Sequence, residues 1–100
     1  MSLRNAIDLS GRCILLTGAT GAIGAATARA CASLGASKLV LADVGPQDAL
    51  DALCEDLQAQ GVEASGYQCD VSRRQDNANL VAAAGDVDAA VACAGICPLE

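Results

Sequence analysis

Residues 15–24, Leu15-Leu16-Thr17-Gly18-Ala19-Thr20-Gly21-Ala22-Ile23-Gly24, run from an apolar stretch through a glycine-rich turn into an alanine-rich pattern. Cys13 to Leu16 reads as a short buried strand, and Gly24 to Leu34 as the helix after it. Between them Gly18, Gly21 and Gly24 recur every three residues. A strand reversing tightly into a helix needs residues without a Cβ at the turn and at the helix–strand contact. The helix N-terminus then offers unpaired N–H groups and a partial positive charge to a phosphate. Three glycines alone also describe a plain loop, so the residues beyond Gly24 must decide.

Nineteen residues beyond Gly24, a second apolar run, Lys38-Leu39-Val40-Leu41-Ala42-Asp43, ends in a carboxylate. In a dinucleotide-binding βαβ unit an acid at that distance caps the second strand and accepts hydrogen bonds from the adenosine ribose hydroxyls. It also repels a 2′-phosphate. Asp is common in turns, so Asp43 could be an ordinary strand-end residue. Glycines, helix, strand and acid in this order favour the nucleotide reading.

Together these residues resemble the short-chain dehydrogenase/reductase family. Thr17-Gly18-Ala19-Thr20-Gly21-Ala22-Ile23-Gly24 is similar to its cofactor turn. Cys69-Asp70-Val71 resembles the Asp-Val pair with which its third strand contacts adenine. Ala92-Cys93-Ala94-Gly95-Ile96 resembles its fourth-strand Asn-Asn-Ala-Gly-Ile. The resemblance runs from about Gly11 to Ile96. It implies NAD as cofactor, held by Gly18, Thr20, Gly21, Ala22, Ile23, Gly24, Asp43, Val44, Asp70, Val71, Ala92, Ala94 and Gly95. Two departures stand out. Ala22 occupies a position where the commonest turn has glycine, a spacing shared with the longer epimerase-like branch. Both fourth-strand asparagines are replaced, by Ala92 and Cys93, so a backbone contact survives there but side-chain anchoring does not. The Ala-Gly-Ile ending favours the ordinary single-domain branch.

The family's chemistry uses a serine and a Tyr-x-x-x-Lys pair beyond the fourth strand: Tyr as acid/base, Lys to lower its pKa and hold the nicotinamide ribose. Here Tyr67, the one tyrosine, is followed four residues later by Val71, and the sole lysine is Lys38. There is no histidine to substitute as acid/base. Ser65 and Ser72 read as loop and turn residues, Tyr67 as opening the third strand, and Lys38 as starting the second. No catalytic residue is assigned.

The expected architecture is α/β, a partial Rossmann-type doubly wound parallel sheet of order 3-2-1-4 with helices on both faces. Residues 1–100 read as one NAD(P)-binding domain comprising the N-terminal half, with the catalytic half absent. A second helix is predicted from about Pro46 to Gln60, with Pro46 at the first helical position and Leu50, Leu53, Cys54 and Leu57 on one face. A third is predicted from about Arg73 to Ala84, with Leu80, Val81 and Ala84 inward. The fourth strand, Val87 to Cys93, would be left as an unprotected edge.

Hydrophobic residues make up 53% of the chain, yet Phe and Trp are absent and alanine dominates, so the core is thin. The net charge of −6 argues against nucleic acid or an anionic membrane as partner. Asp48, Asp51, Glu55 and Asp56 read as a solvated face of the second helix. No stretch suits a membrane span or signal peptide, and the cysteines, at 13, 31, 54, 69, 93 and 97, contain no Cys-x-x-Cys pair. Buried thiols in a reducing cytoplasm account for them without metal, with Cys13, Cys69 and Cys93 placed in strands. Two function classes remain. One is the cofactor half of an NAD-linked oxidoreductase acting by hydride transfer on an alcohol or ketone. The other is a non-catalytic dinucleotide-binding module or fragment. Alone, the segment is expected to bind NAD weakly, not to catalyse, and to self-associate as a homo-oligomer.

Overall fold

The computed structural model describes residues 9–70 and 72–92. Strands β1 (Cys13–Thr17), β2 (Lys38–Asp43), β3 (Glu63–Gln68) and β4 (Ala89–Ala92) alternate with helices α1 (Ala22–Ser33), α2 (Gln47–Ala59) and α3 (Arg74–Ala84). All neighbouring strands pair in parallel, in the order β3-β2-β1-β4. This is the expected order, with β1 and β2 in the middle.

The central strands are apolar on both faces because both faces are covered. Ile14 and Leu16 of β1 and Leu39 and Leu41 of β2 share one cluster with Ala28 of α1 and Leu50, Leu53, Cys54 and Leu57 of α2. Leu15, Val40 and Ala42 point the other way and meet Leu80 and Ala84 of α3. Two helices therefore cover one face and one helix the other. Alanine on α1 allows a close approach to the sheet, with Ala28 fully buried. Asp48, Asp51, Glu55 and Asp56 lie exposed on α2, as their spacing predicts.

Several boundaries differ from expectation. Helix α1 begins two residues early, at Ala22, because Gly21 is already the extended N-cap residue. Pro46 is the N-cap of α2 rather than its first helical residue. Val81 is 63% exposed, since the turn of α3 that buries Leu80 and Ala84 carries Val81 round to solvent. Ser65 lies within β3 rather than in a loop, and Tyr67 is its fifth residue, near the C-terminal end rather than the opening. Cys69 follows β3 instead of lying in it, though it remains buried. Val87 precedes β4, and Cys93 lies outside the described residues.

Two glutamines of α2 reach over the outer edge of β3. Gln47 Nε2 donates to the Gly66 carbonyl at 3.1 Å and Gln58 Nε2 to the Ala64 carbonyl at 3.0 Å. At the other end of the sheet, Asp88 ties β1 to the approach to β4. Its Oδ2 accepts the Cys13 N–H at 2.7 Å, and its own N–H donates to the Cys13 carbonyl at 2.8 Å.

Leu41→Ala should cost about 2–5 kcal/mol in urea unfolding, as a fully enclosed leucine leaves a cavity between β2 and its helices. Val81→Ala on the outward side of α3 should stay within about 0.5 kcal/mol.

Candidate nucleotide-binding site

Parallel pairing brings the C-terminal ends of all four strands to one edge of the sheet. Thr17 stands opposite Ala42 on one side and Ala92 on the other, and Asp43 stands opposite Gln68. The glycine turn, Asp43 and Asp70 thereby collect along this edge, in the crevice where open α/β sheets take their ligands.

The turn is held by close backbone contact. Gly18 has φ +70°, a left-handed conformation that side chains disfavour. Gly24 is buried, and a Cβ there would lie 2.1 Å from the Gly18 carbonyl oxygen and 2.8 Å from the Ala19 Cα. The third glycine thus seats α1 directly on the backbone of the turn, and the first permits the turn itself. Gly21 differs: a Cβ there would sit an ordinary 3.6 Å from the Gly18 oxygen. Helical bonding at the turn starts with the Ala25 N–H, which donates to the Gly21 carbonyl at 2.8 Å. The N–H groups of Ala22, Ile23 and Gly24 precede it and belong to the open end of the helix. This is a cradle for an anionic group, with no Cβ where backbone must come close.

Asp43 closes the other side. Its Oδ2 accepts the Thr20 N–H at 2.9 Å and the Thr20 hydroxyl; its Oδ1 accepts the Val44 N–H at 2.7 Å and the Gly45 N–H at 3.4 Å. Partial burial alone would raise its pKa. The bonds from the Thr20 hydroxyl and from the Thr20, Val44 and Gly45 amides outweigh that and hold the carboxyl below the usual range. The strand tip and the glycine turn are latched together through one ionised side chain. Sequence spacing brings Asp43 to the right edge but misses this latch; its only signal is a hydroxyl inside the turn.

Asp70 sits at the same edge. Its Oδ1 accepts the Ser72 hydroxyl at 2.6 Å and the Ser72 N–H at 3.0 Å, and those bonds lower its pKa. The Asp70 N–H donates to Asp76 Oδ2 at 3.0 Å, joining this loop to α3. Ile23 and Val44 are 75% and 64% exposed, the two most exposed large apolar side chains among the described residues. Both flank the crevice. Val71, Ala94 and Gly95 lie outside the described residues.

Charge and chemistry are unevenly spread. No Lys or Arg occurs from Gly18 to Gly24 or at Val44 and Gly45. Arg29 pairs with Asp56 at 3.2 Å, Arg12 with Asp88 at 3.7 Å and Lys38 with Glu63 at 3.9 Å. Lys38 and Glu63 both begin their strands, at the end of the sheet away from the crevice. Tyr67 borders a shallow cavity with Gln68, Asp76, Asn79 and Leu80, between β3 and α3. Burial raises the thiol pKa of Cys69, with Asp76 and Asp70 adding to it, and burial followed by Asp51 does the same for Cys54. Both are held as neutral thiols. Among the described residues no helix is long and apolar enough to cross a membrane.

The sequence matches the family model for short chain dehydrogenases over residues 12–100. It is 44% identical over 92 residues to a glycine betaine reductase of Emericella nidulans, covering 88% of this chain and 7% of that protein. It is 37% identical over 95 residues to the human mitochondrial dehydrogenase/reductase SDR family member 2, covering 91% of this chain and 33% of that protein. Among solved structures, a short-chain dehydrogenase/reductase of Burkholderia phymatum in complex with NAD is 40% identical, with TM-score 0.71 over 78% of this chain and 27% of its own. A hydroxysteroid dehydrogenase of Escherichia coli is 31% identical, with TM-score 0.76 over 85% and 37%. The chain therefore spans well under half the length of these relatives.

Gly24→Ala should destabilise the fold by about 1–3 kcal/mol or more in urea unfolding, because its Cβ meets backbone that cannot yield. Gly21→Ala should be close to neutral. The latch also predicts an acid dependence. The folded pKa of Asp43 lies below its unfolded value, so its contribution is present above the ordinary carboxylate range and lost as pH falls through the folded value. Asp43→Asn should flatten that part of a stability–pH curve measured by thermal unfolding.

Proposed function

The chain belongs to the short-chain dehydrogenase family, and we propose that it forms the NAD-binding part of an oxidoreductase acting on an alcohol or carbonyl substrate. One observation carries the cofactor preference: an ionised Asp43 at the tip of β2, latched to the glycine turn, with no basic residue in that turn. A ribose diol suits such a carboxylate, while a 2′-phosphate meets a like charge with no basic residue in the turn or at Val44 and Gly45 to receive it. The Burkholderia phymatum relative with NAD bound supports the same reading.

In this proposal Gly18 and Gly21 let backbone approach the pyrophosphate, and the N–H groups of Ala22, Ile23 and Gly24 meet its charge. Asp43 orients the adenosine ribose. Val44 and Ile23 exchange exposed apolar surface for contact with the nucleotide. Asp70 faces the adenine and backbone at Ala92 faces the cofactor ribose; the family resemblance assigns Val71, Ala94 and Gly95 to the same cofactor. Bound NAD would accept or deliver hydride at its nicotinamide ring.

The proton at the substrate oxygen needs another group. Tyr67 lies against α3 and Lys38 pairs with Glu63 at the far end of the sheet, so we assign neither to it. We assign that role to residues of the catalytic half that the family's chemistry requires. A Tyr-x-x-x-Lys in the coding sequence after Glu100 would support this assignment.

Calorimetry on the full-length protein should show NAD binding at least about tenfold tighter than NADP, the scale of one unfavourable charge contact. Asp43→Ala should narrow the gap. Equal dissociation constants for the two cofactors in the unmutated protein would refute the preference.

A further inference from the structure

An ionised carboxylate offers about four acceptor positions, two on each oxygen. In Asp43 both positions on Oδ2 are filled at close range, by the Thr20 N–H and hydroxyl, while Oδ1 takes the Val44 N–H at 2.7 Å and the Gly45 N–H at a long 3.4 Å. A ribose diol, which binds Asp43 only by donating, therefore finds no vacant position on Oδ2. A diol hydroxyl that engages Oδ2 must displace one of its two donors. Three of the four donors are backbone amides fixed by the turn and the strand end. The fourth, the Thr20 hydroxyl, hangs on one rotatable bond.

We propose that the Thr20 hydroxyl is a self-cap on Asp43: it stands in for a ribose hydroxyl in the free protein and is displaced when the ribose binds. This rests on the NAD reading above and makes Thr20 an affinity-setting residue of that site. The neighbourhood permits the exchange. Thr20 is partly exposed, so a rotated hydroxyl reaches water. The residue facing it is Gly45, where even a Cβ would come no nearer than 3.6 Å to Thr20 Oγ1. The Thr20 amide keeps its bond to Oδ2 throughout, so the carboxylate stays in position while its cap turns away. A 2′-phosphate cannot make the exchange at its own position, because it brings an acceptor where the cap brought a donor.

The sign of one substitution separates a cap from a strut. If the hydroxyl only braced Asp43, Thr20→Val would loosen the carboxylate and weaken NAD binding. If it caps Asp43, Thr20→Val removes a competitor. Calorimetry on the full-length protein should then show Thr20→Val binding NAD about two- to tenfold tighter than the unmutated protein, the scale of one net hydrogen bond. Thr20→Ser, which keeps the hydroxyl, should bind like the unmutated protein. The gain should vanish when Asp43→Ala is already present. Unchanged or weaker NAD binding by Thr20→Val, or an equal gain without Asp43, overturns the proposal. Absence of NAD binding by the unmutated protein overturns the cofactor reading and the cap with it. Should Thr20→Val not fold, the three-bond couplings that report Thr20 χ1 decide in the unmutated protein. They should change on adding NAD, and an unchanged rotamer in the NAD-saturated protein overturns the cap.

Discussion

Backbone meets backbone where α1 begins, and that contact sets the rest of the site. Gly24 sits so close to the Gly18 carbonyl that a single methyl group would fall at 2.1 Å. The approach fixes where the helix axis starts relative to β1, and hence where its open N–H groups lie. It also leaves Thr20 at the rim, facing the tip of β2. From there one carboxylate joins turn and strand. Moving α1 outward by the width of a side chain would part Thr20 from Asp43 and open the cradle together, so the open helix end and the carboxylate latch stand or fall as one unit.

Much of this is legible in the sequence because the strongest signals are local. The runs at Leu15-Leu16 and Leu39-Val40-Leu41 are apolar on both faces, which only a doubly covered parallel strand demands. The spacing of Leu50, Leu53, Cys54 and Leu57 fixes the inner face of α2. Where periodicity is weak, the sequence misleads. Glu63-Ala64-Ser65-Gly66-Tyr67-Gln68 has little to mark it as a strand, because β3 is an edge whose exposed and half-buried residues show no clean alternation. The pattern therefore places the third strand too late, and Tyr67 at its opening instead of near its end. Val81 shows the same limit, in a helix with only two buried residues.

The candidate site divides along a similar line. Glycines and the strand-end acid announce themselves by type and distance, since Gly18 needs a left-handed conformation and Gly24 has no room for a Cβ. The Thr20–Asp43 bond joins residues 23 apart and depends on one rotamer, so beyond a hydroxyl in the turn the sequence carries no trace of it. Asp88 is equally silent: an exposed acid in a loop, it receives the first amide of β1 from 75 residues away. Such contacts are decided by how loops fall once the sheet has formed.

The glutamines over β3 bear on whether a further strand can join the sheet there. An approaching strand must find donors and acceptors in alternation along the rim it joins. On the β3 side, the carbonyls of Ala64 and Gly66 are already taken by Gln58 and Gln47 of the same molecule. A newcomer there would have to compete with two side chains for those acceptors. Among the described residues β4, on the far side of β1, is a short run of Ala89, Ala90, Val91 and Ala92, mostly exposed. The β3 flank therefore carries its own guard against an added strand, supplied by α2 of the same molecule.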